Sequence, residues 1–325
     1  MRSVRLTAAI NKHAGLSAQP LASYRLTTMT TDTVPEDAKK VWTTLVTNSK
    51  YMPGVLTLNH MLKKVGSKYP LVVLYTDTFD EDGHRALDER HIYKQRIGYL
   101  LPTTHKDYTA DPRFYDCWSK LQPFSLTQFE RVVQLDSDMV VIQNMDELMD
   151  IPLDKEKRVF AASHACVCNP FKKPSYPANW VPENCAYTHY FEYEYDQPWQ
   201  GPPCKAGLGM CNGGLQVVLP DEANYKKILA ALDSDATVDY EFSDQSLLSD
   251  VFADSWVPLS YKYNALKSLK WVHAPVWKDE EVKNIHYIIT PKPWEVDENY
   301  DDTTGTFHYW WSANADRLEA EKKNE

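Results

Sequence analysis

The chain has 325 residues, 43% hydrophobic and 25% charged, a composition typical of a soluble globular protein. Thirty-five basic and forty-five acidic side chains give a formal net charge of −10, which argues against non-specific binding to nucleic acid or to an anionic membrane. No apolar run reaches the roughly 18 residues that span a bilayer, and the N-terminus lacks the apolar core of a secretion signal. We therefore expect a cytoplasmic protein with no nucleic-acid partner and no membrane span.

Residues 1–38 are predicted to form a flexible N-terminal arm. They contain no acidic side chain before Asp32 and show no sustained helical or strand period. An organellar transit peptide and an extension upstream of Met29 would have the same composition, and the sequence leaves both alternatives open.

The predicted main domain, residues 39–314, begins with a β-branched strand at 41–47. A run with helical spacing follows at 55–65, and then a short apolar strand at 71–75. Further strands are predicted at 131–135, 159–162 and 215–219, with helices near 118–129, 222–232 and 244–252. This alternation predicts an α/β fold with helices around a central, mostly parallel sheet, whose ligands bind beyond the carboxyl ends of the strands.

Two segments depart from this pattern. Residues 166–209 are irregular and rich in Pro, Tyr and Trp, which favours an ordered loop that covers a ligand. The charged segment 315–325 is compatible with a helix and is predicted to be a solvated tail. Four of the six cysteines lie in the irregular segment, at Cys166, Cys168, Cys185 and Cys204. Their spacing matches no common zinc motif, so reduced structural thiols are favoured, with a metal site or a disulfide as alternatives.

The sharpest candidate for chemistry is Asp136-Ser137-Asp138, directly after an apolar strand. In an extended segment residues i and i+2 point to the same side, so the two carboxylates converge at a strand end. Two solvated acids in a turn are the alternative. His286 also follows apolar residues, and Lys292 comes six residues later. Two carboxylates, an imidazole and a lysine in an acidic protein predict a divalent cation that binds Asp136, Asp138, His286 and a diphosphate.

Two further motifs are weaker. Cys211-Asn212-Gly213-Gly214 precedes a predicted strand, where Asn-Gly commonly marks a tight turn with positive φ. Ser243-Asp244-Gln245-Ser246 opens an apolar helical run and has the composition of a helix N-cap.

Taken in chain order, these segments resemble the family 8 retaining glycosyltransferases. The resemblance covers about residues 41–311 and rests on residues 44–51 (TLVTNSKY), Lys120-Leu121 with 125–128 (SLTQ), Asp136-Ser137-Asp138, Asn212-Gly213-Gly214, Asp244-Gln245, and His286 with Lys292-Pro293-Trp294. It implies that residues 39–314 form a single catalytic domain with the Rossmann-like GT-A fold. It also implies a UDP-sugar donor and Mn(II), with Mg(II) as the alternative cofactor.

The resemblance assigns a role to each matched position. Leu45, Thr47, Asn48 and Tyr51 would hold the uridine, Lys120 and Ser137 would lie at the donor, and Lys292 would grip the diphosphate. Asp136, Asp138 and His286 would bind the metal, with Asp136 also near the ribose. Asn212 and Gly213 would line the sugar pocket, and Asp244 and Gln245 would lie by the reacting anomeric carbon.

Two departures from the family pattern bear on function. Glycogenin-like members have a Gly where this chain has Ile289, so we expect a locally different phosphate loop. Segment 166–209 is more similar to galactinol synthases in length and cysteine content.

We expect transfer of a hexose, from UDP-glucose or UDP-galactose, to a hydroxyl of a separate acceptor, either a polyol such as myo-inositol or a saccharide. The chain ends about thirty residues after Lys292, which favours a separate acceptor over a glycogenin-like self-glucosylating primer. An inactive sugar-nucleotide-binding protein is a further alternative. A nucleotidyltransferase is disfavoured because no Gly-rich phosphate loop lies near the first strand. The sequence leaves a homodimer open.

Overall fold

The computed structural model describes residues 34–35, 37–109 and 111–323. The predicted arm at 1–38 therefore lies almost wholly outside the described residues. Within the part of the chain that is described, no helix combines the length and the apolar character needed to cross a membrane.

Ten strands and seven α-helices make up the regular structure of the described residues. The strands are β1 Lys40–Val46, β2 Leu71–Tyr75, β3 Tyr93–Arg96, β4 Arg131–Leu135, β5 Met139–Val141, β6 Phe160–Ser163, β7 Leu215–Val218, β8 Trp256–Leu259, β9 Ala265–Leu266 and β10 Asn284–His286. The helices are α1 Met52–Lys64, α2 Glu81–Asp88, α3 Arg113–Cys117, α4 Glu222–Leu232, α5 Ser243–Val251, α6 Leu269–Val272 and α7 Phe307–Lys322.

Seven strands form the central sheet, in the order β3-β2-β1-β4-β7-β6-β8. Neighbouring strands are parallel except at β7, which is antiparallel to both β4 and β6. The predicted α/β fold with a mostly parallel sheet is confirmed. Because β7 runs against β4, the start of β7 lies at the carboxyl end of β4, and Leu215 pairs with Leu135.

The inner strands are β-branched and apolar because helices cover both faces of the sheet. Val41, Trp42, Val132 and Val133 are fully buried and divide between two large hydrophobic clusters, one for each face. Helix α1 has Pro53 in its first turn, where a missing N–H costs no hydrogen bond. The predicted elements at the positions of β1, α1, β2, β4, β6, β7, α4 and α5 are all present.

A second, three-stranded sheet, in the order β5-β10-β9, packs beside the first. Strand β10 is antiparallel to β5, and His286 pairs with Met139. The first residue beyond β10, Tyr287, donates its backbone N–H to the carbonyl of Asp138, with an N···O distance of 2.9 Å. The small sheet therefore joins the segment that ends in His286 to the segment that carries Asp138.

Three sequence predictions need correction. The helix expected near 118–129 is a 3₁₀ helix, Trp118–Ser125, with Pro123 inside it, since Pro cannot continue an α-helical ladder. Ser243 is not an N-cap: Phe242 occupies that position, and the Ser243 hydroxyl donates to the Phe114 carbonyl. The expected boundary at 314 falls inside α7, which continues to Lys322 and buries Arg317, so residues 315–322 are not a separate solvated tail.

Candidate active site

A cavity of about 390 Å³ opens at the carboxyl ends of β1 and β4, within the size range of small-molecule sites. The structure brings every site residue predicted from the sequence to its wall: Leu45, Thr47, Asn48, Tyr51, Lys120, Asp136, Ser137, Asp138, Asn212, Gly213, Asp244, Gln245, His286 and Lys292. Their assignment to uridine, sugar, diphosphate or metal stays a prediction.

The Asp136-Ser137-Asp138 segment lies between β4 and β5, as the sequence indicates. Its position depends on a glycine in the first turn of α1: a Cβ atom at Gly54 would lie 2.1 Å from the Ser137 carbonyl oxygen. The segment is also held by a hydrogen bond of 2.8 Å from the Asp136 N–H to the Gly214 carbonyl. The segment is therefore fixed by backbone contacts with α1 and with the residues before β7.

Both carboxylates are paired with lysines. The Lys120 ammonium lies 2.7 Å from Asp136 Oδ1, and the fully buried Lys292 donates to Asp138 and, at 2.7 Å, to the Tyr287 carbonyl. Burial opposes ionisation of Asp138, but Lys292 and His286 outweigh it and hold the pKa of its carboxyl well below the usual value. Burial likewise opposes the charge of Lys120, yet Asp136 raises the Lys120 pKa above its ordinary range. Asp138 and Lys120 are thus charged at neutral pH.

The tautomer of His286 follows from a chain of hydrogen bonds. The Gly214 N–H donates to Asn212 Oδ1 at 3.0 Å, so the Asn264 amide that is 2.8 Å from the same oxygen must contribute its nitrogen. Asn264 Oδ1 then faces His286 Nδ1 at 2.8 Å and accepts its proton. In the neutral ring the lone pair is then on Nε2, which lies 3.2 Å from Asp138 Oδ1 and 3.5 Å from Asp136 Oδ2.

Three electron-pair donors therefore converge on one point, and ligand atoms from Asp136, Asp138 and His286 lie within 4.8 Å of one another. Carboxylate oxygens and a neutral imidazole are suitable ligands for a hard or borderline divalent cation. The donor set fits the predicted metal.

The two glycines of the Asn-Gly-Gly motif are needed for close approach. A Cβ atom at Gly213 would lie 2.3 Å from Asp244 Oδ2, and one at Gly214 would lie 2.3 Å from Cε1 of His286. Neither is among the described residues with positive φ, so the turn interpretation with positive φ is wrong. The motif brings backbone against both a predicted catalytic carboxylate and a predicted metal ligand.

Asp244 and Gln245 form the first turn of α5. Burial raises the pKa of Asp244 to about 7, opposed by Lys120 and reinforced by Asp136. Gln245 Oε1 accepts from the Gly213 N–H at 3.2 Å and from Asn212 at 3.3 Å. The amide oxygen of Gln245 is thereby fixed by two hydrogen bonds.

Sequence reasoning missed three polar residues of the site. Asp116 and Arg113 line the cavity near Thr47 and Tyr51: Thr47 donates to Asp116 at 2.8 Å, and Arg113 forms a two-pronged ion pair with Asp111. They lie in a segment without a recognisable period. Asn264 is fully buried behind His286, and its only signal is a polar residue inside an apolar stretch.

The irregular segment contributes one wall of the cavity through its first part. Asn169, Phe171, Lys173, Tyr176 and Trp180 line the cavity. The tyrosines at 187, 190, 193 and 195 do not belong to that lining; Tyr187 is buried and donates to the His164 carbonyl at 2.8 Å. The segment does border the site, but its tyrosine-rich half packs elsewhere.

Ile289 lies in the cavity wall with φ of +62°, a left-handed conformation that is rare for a β-branched residue. Lys267 supports the segment by donating to the Ile289 and Pro291 carbonyls, each at 3.0 Å. The backbone therefore has a glycine-like conformation at the position where glycogenin-like members of the family have a Gly.

Comparison with known proteins identifies the family. The model of glycosyl transferase family 8 matches residues 43–298. The chain belongs to this family. The match contains all the residues predicted for the site, and the assignment made from the ordered motifs is confirmed.

Curated relatives of this family 8 protein include galactinol synthases from plants. Galactinol synthase 1 of Solanum lycopersicum is 28% identical over 278 residues, which is 83% of this chain and 79% of the relative. Galactinol synthase 1 of Arabidopsis thaliana is 25% identical over 308 residues, covering 91% and 84%.

Solved structures of glycosyltransferases share the fold. An active-site mutant of LgtC superposes with a TM-score of 0.57 and 12% identity, covering 85% of this chain and 95% of that one. The bifunctional glycosyltransferase WbbM gives 0.56 and 18%, covering 88% and 52%. The predicted GT-A fold is confirmed.

Proposed function

We propose that this family 8 glycosyltransferase transfers a galactosyl group from UDP-galactose to a hydroxyl of a small polyol, myo-inositol, with retention of anomeric configuration. The family supports hexosyl transfer, and the names of the curated relatives support this donor and acceptor, since galactinol is a galactoside of myo-inositol. One structural observation carries the proposal: Asp136, Asp138 and His286 converge beside two lysines in a cavity at the strand ends.

The leaving group is a nucleoside diphosphate, so the site must stabilise negative charge that develops on its oxygens. Asp136, Asp138 and His286 would hold a divalent cation, Mn(II), which when bound supplies Lewis-acid stabilisation of the diphosphate. Lys120 and Lys292 contribute fixed positive charge beside the same carboxylates. Since both lysines are already held by ion pairs, little reorganisation is needed when the substrate binds.

A retaining transfer requires either a carboxylate nucleophile or departure and attack on one face of the sugar. We favour same-face attack. Asp244 is buried and protonates readily, because its pKa is about 7, which weakens it as a nucleophile. Asp244 and Gln245 instead orient the sugar hydroxyls, and Asn212 and Gly213 keep Gln245 in place.

The direct test is release of UDP from UDP-galactose and from UDP-glucose, with Mn(II) or with EDTA, in the presence and absence of myo-inositol. We expect Mn-dependent release from UDP-galactose that increases with myo-inositol, and NMR of the product should show an α-linked galactoside. The Asp138→Asn variant serves as the inactive control.

Two results would contradict the proposal. A ladder of hexose additions in the intact mass of the protein would indicate a self-glycosylating primer. Tight UDP binding without release from either donor would indicate a sugar-nucleotide-binding protein that lacks transferase activity.

A further inference from the structure

Four side chains of types that bind metal ions form a group separate from Asp136, Asp138 and His286, and one of them, Cys166, also borders the active-site cavity. They are the thiols of Cys166, Cys168 and Cys185 and the imidazole of His273, and their ligand atoms all lie within 4.8 Å of one another. His273 is the residue directly after α6. The group therefore joins the irregular segment to an element more than eighty residues further along the chain.

The distances fit four ligands around one ion. His273 Nε2 lies 3.1 Å from the Cys168 sulfur and 3.5 Å from the Cys185 sulfur. In a tetrahedral zinc site with Zn–S of about 2.3 Å and Zn–N of about 2.0 Å, neighbouring ligand atoms are separated by about 3.5 to 3.8 Å. The observed separations need only small side-chain adjustments to meet this geometry.

Hydrogen bonding alone accounts poorly for this arrangement. A neutral imidazole nitrogen has one lone pair and can accept one S–H bond, whereas two sulfurs lie against His273 Nε2 and a third thiol joins them. Cys168, Cys185 and His273 are buried, and all six cysteines are free of disulfides. Three thiols and an imidazole at one buried point have the composition of a Cys₃His zinc site.

We propose that Cys166, Cys168, Cys185 and His273 bind a structural Zn(II) ion. Four protein ligands complete the tetrahedral coordination of zinc and leave no position for a substrate, so the ion has a structural role. The soft thiolate ligands favour zinc here, whereas the two carboxylates and the imidazole of the active site favour Mn(II) or Mg(II). The protein would then contain two metal centres of different chemistry.

The zinc ion would position one side of the active-site cavity. The chain between Cys168 and Cys185 includes Asn169, Phe171, Lys173, Tyr176 and Trp180, which line that cavity. Residues 169–184, all of which are described, contain no strand and no α-helix. Fixing both ends of this stretch to one ion reduces the number of conformations open to it.

The first experiment measures metal content in the full-length protein, purified without a metal-affinity tag and dialysed against EDTA. Because a structural zinc site is closed and tightly binding, we expect one zinc per chain to survive the dialysis while manganese is removed. Cys185→Ser should lose the zinc. The matched control, Cys204→Ser, changes a cysteine of the same segment that lies outside the group of four, and should keep it.

Two further measurements separate this site from the active site and from a folding failure. Asp138→Asn, where circular dichroism shows it to be folded, should keep the zinc; loss of zinc from the folded variant would assign the ion to the carboxylate centre and overturn the proposal. The wild-type protein refolded with Co(II) should show the thiolate-to-cobalt absorption of a tetrahedral sulfur site, which needs no variant. A disulfide would be established instead if the wild-type protein contains no zinc, takes up no Co(II) and has two fewer titratable thiols than it has cysteines.

Discussion

Asn264 selects the tautomer of His286: Asn264 Oδ1 accepts the proton on His286 Nδ1 over 2.8 Å, so the neutral ring has its lone pair on Nε2, the nitrogen that faces Asp136 and Asp138. A hydrogen-bond partner on the second nitrogen of a metal-binding histidine commonly orients the ring and raises its basicity. The orientation of Asn264 itself is set by Asn212 and by the backbone N–H of Gly214.

Replacing Asn264 by Ala should weaken metal binding by about 10- to 100-fold, because the imidazole loses the partner that selects its tautomer. The measurement is the Mn(II) concentration that gives half-maximal UDP release. Asn264→Asp keeps an acceptor for the Nδ1 proton but loses the NH₂ group that donates to Asn212 Oδ1, so it should recover only part of the affinity. An unchanged Mn(II) dependence in Asn264→Ala that melts like wild type would contradict this role.

Asp138→Asn should lower turnover by at least about 100-fold, since it removes a ligand from the charge-stabilising site. It should also destabilise the fold by about 3 to 5 kcal/mol, because it leaves the buried Lys292 without its counter-charge. Urea unfolding and UDP release measure the two effects separately.

The double variant Asp138→Asn, Lys292→Met tests whether the loss of stability and the loss of turnover have different causes. Removing both charges should restore much of the lost stability without restoring turnover. Equal free energies of unfolding for the single and double variants would show that the Asp138–Lys292 ion pair does not determine stability here.

Gly213→Ala should reduce kcat/KM by about 100-fold, the cost of a displacement of about 1 Å in a catalytic arrangement. The new methyl group would lie 2.3 Å from Asp244 Oδ2 and must move that carboxylate. Gly305→Asn is the control, since no heavy atom lies within 4 Å of a Cβ there and Asn tolerates its positive φ. Equal loss of activity in both variants would point to a general folding defect.

The buried Asp244 should make the stability of the metal-free protein depend on pH. Its pKa is about 7 in the folded state against 3.8 as the ordinary value, so the folded state binds more protons between those values. Stability therefore falls as pH rises through this window, by up to about 4 kcal/mol for a shift of this size. Asp244→Asn removes the titrating group and should flatten this part of the profile.

Urea unfolding between about pH 4 and pH 7 measures the effect on both proteins, since other groups contribute equally to each. Parallel profiles for wild type and Asp244→Asn would show that the carboxyl of Asp244 titrates normally in the folded protein.

Strands and helices with clear apolar runs were predictable, because the spacing of their apolar residues in the sequence matches the positions that the structure buries. The strand at the position of β4 and the two carboxylates after it follow from a short apolar run and from the extended geometry of residues i and i+2. The direction of β7 did not follow, because a fully buried strand has the same composition in either direction. That direction matters, since it brings Asn212 and Gly213 to the site.

Contacts between distant segments account for what the sequence did not reveal. The cysteine spacing was compared with metal motifs among cysteines alone, whereas the group of four side chains in the structure includes His273 and not Cys204. Strands β9 and β10 have two and three residues, too few for a period to be visible. The N-cap interpretation of Ser243 failed because Ser243 has φ of +40° and donates to Phe114 instead.

The hydrogen bonds of the small sheet determine how a local opening of the structure would affect the site. His286 and Asp138 lie on segments that are hydrogen-bonded to each other through β5 and β10, so one local opening event would separate both ligands at once. The cavity wall at residues 169–180 has no ladder of this kind. Substitutions there would change the shape of the pocket and leave the half that carries Asp136, Asp138 and His286 intact.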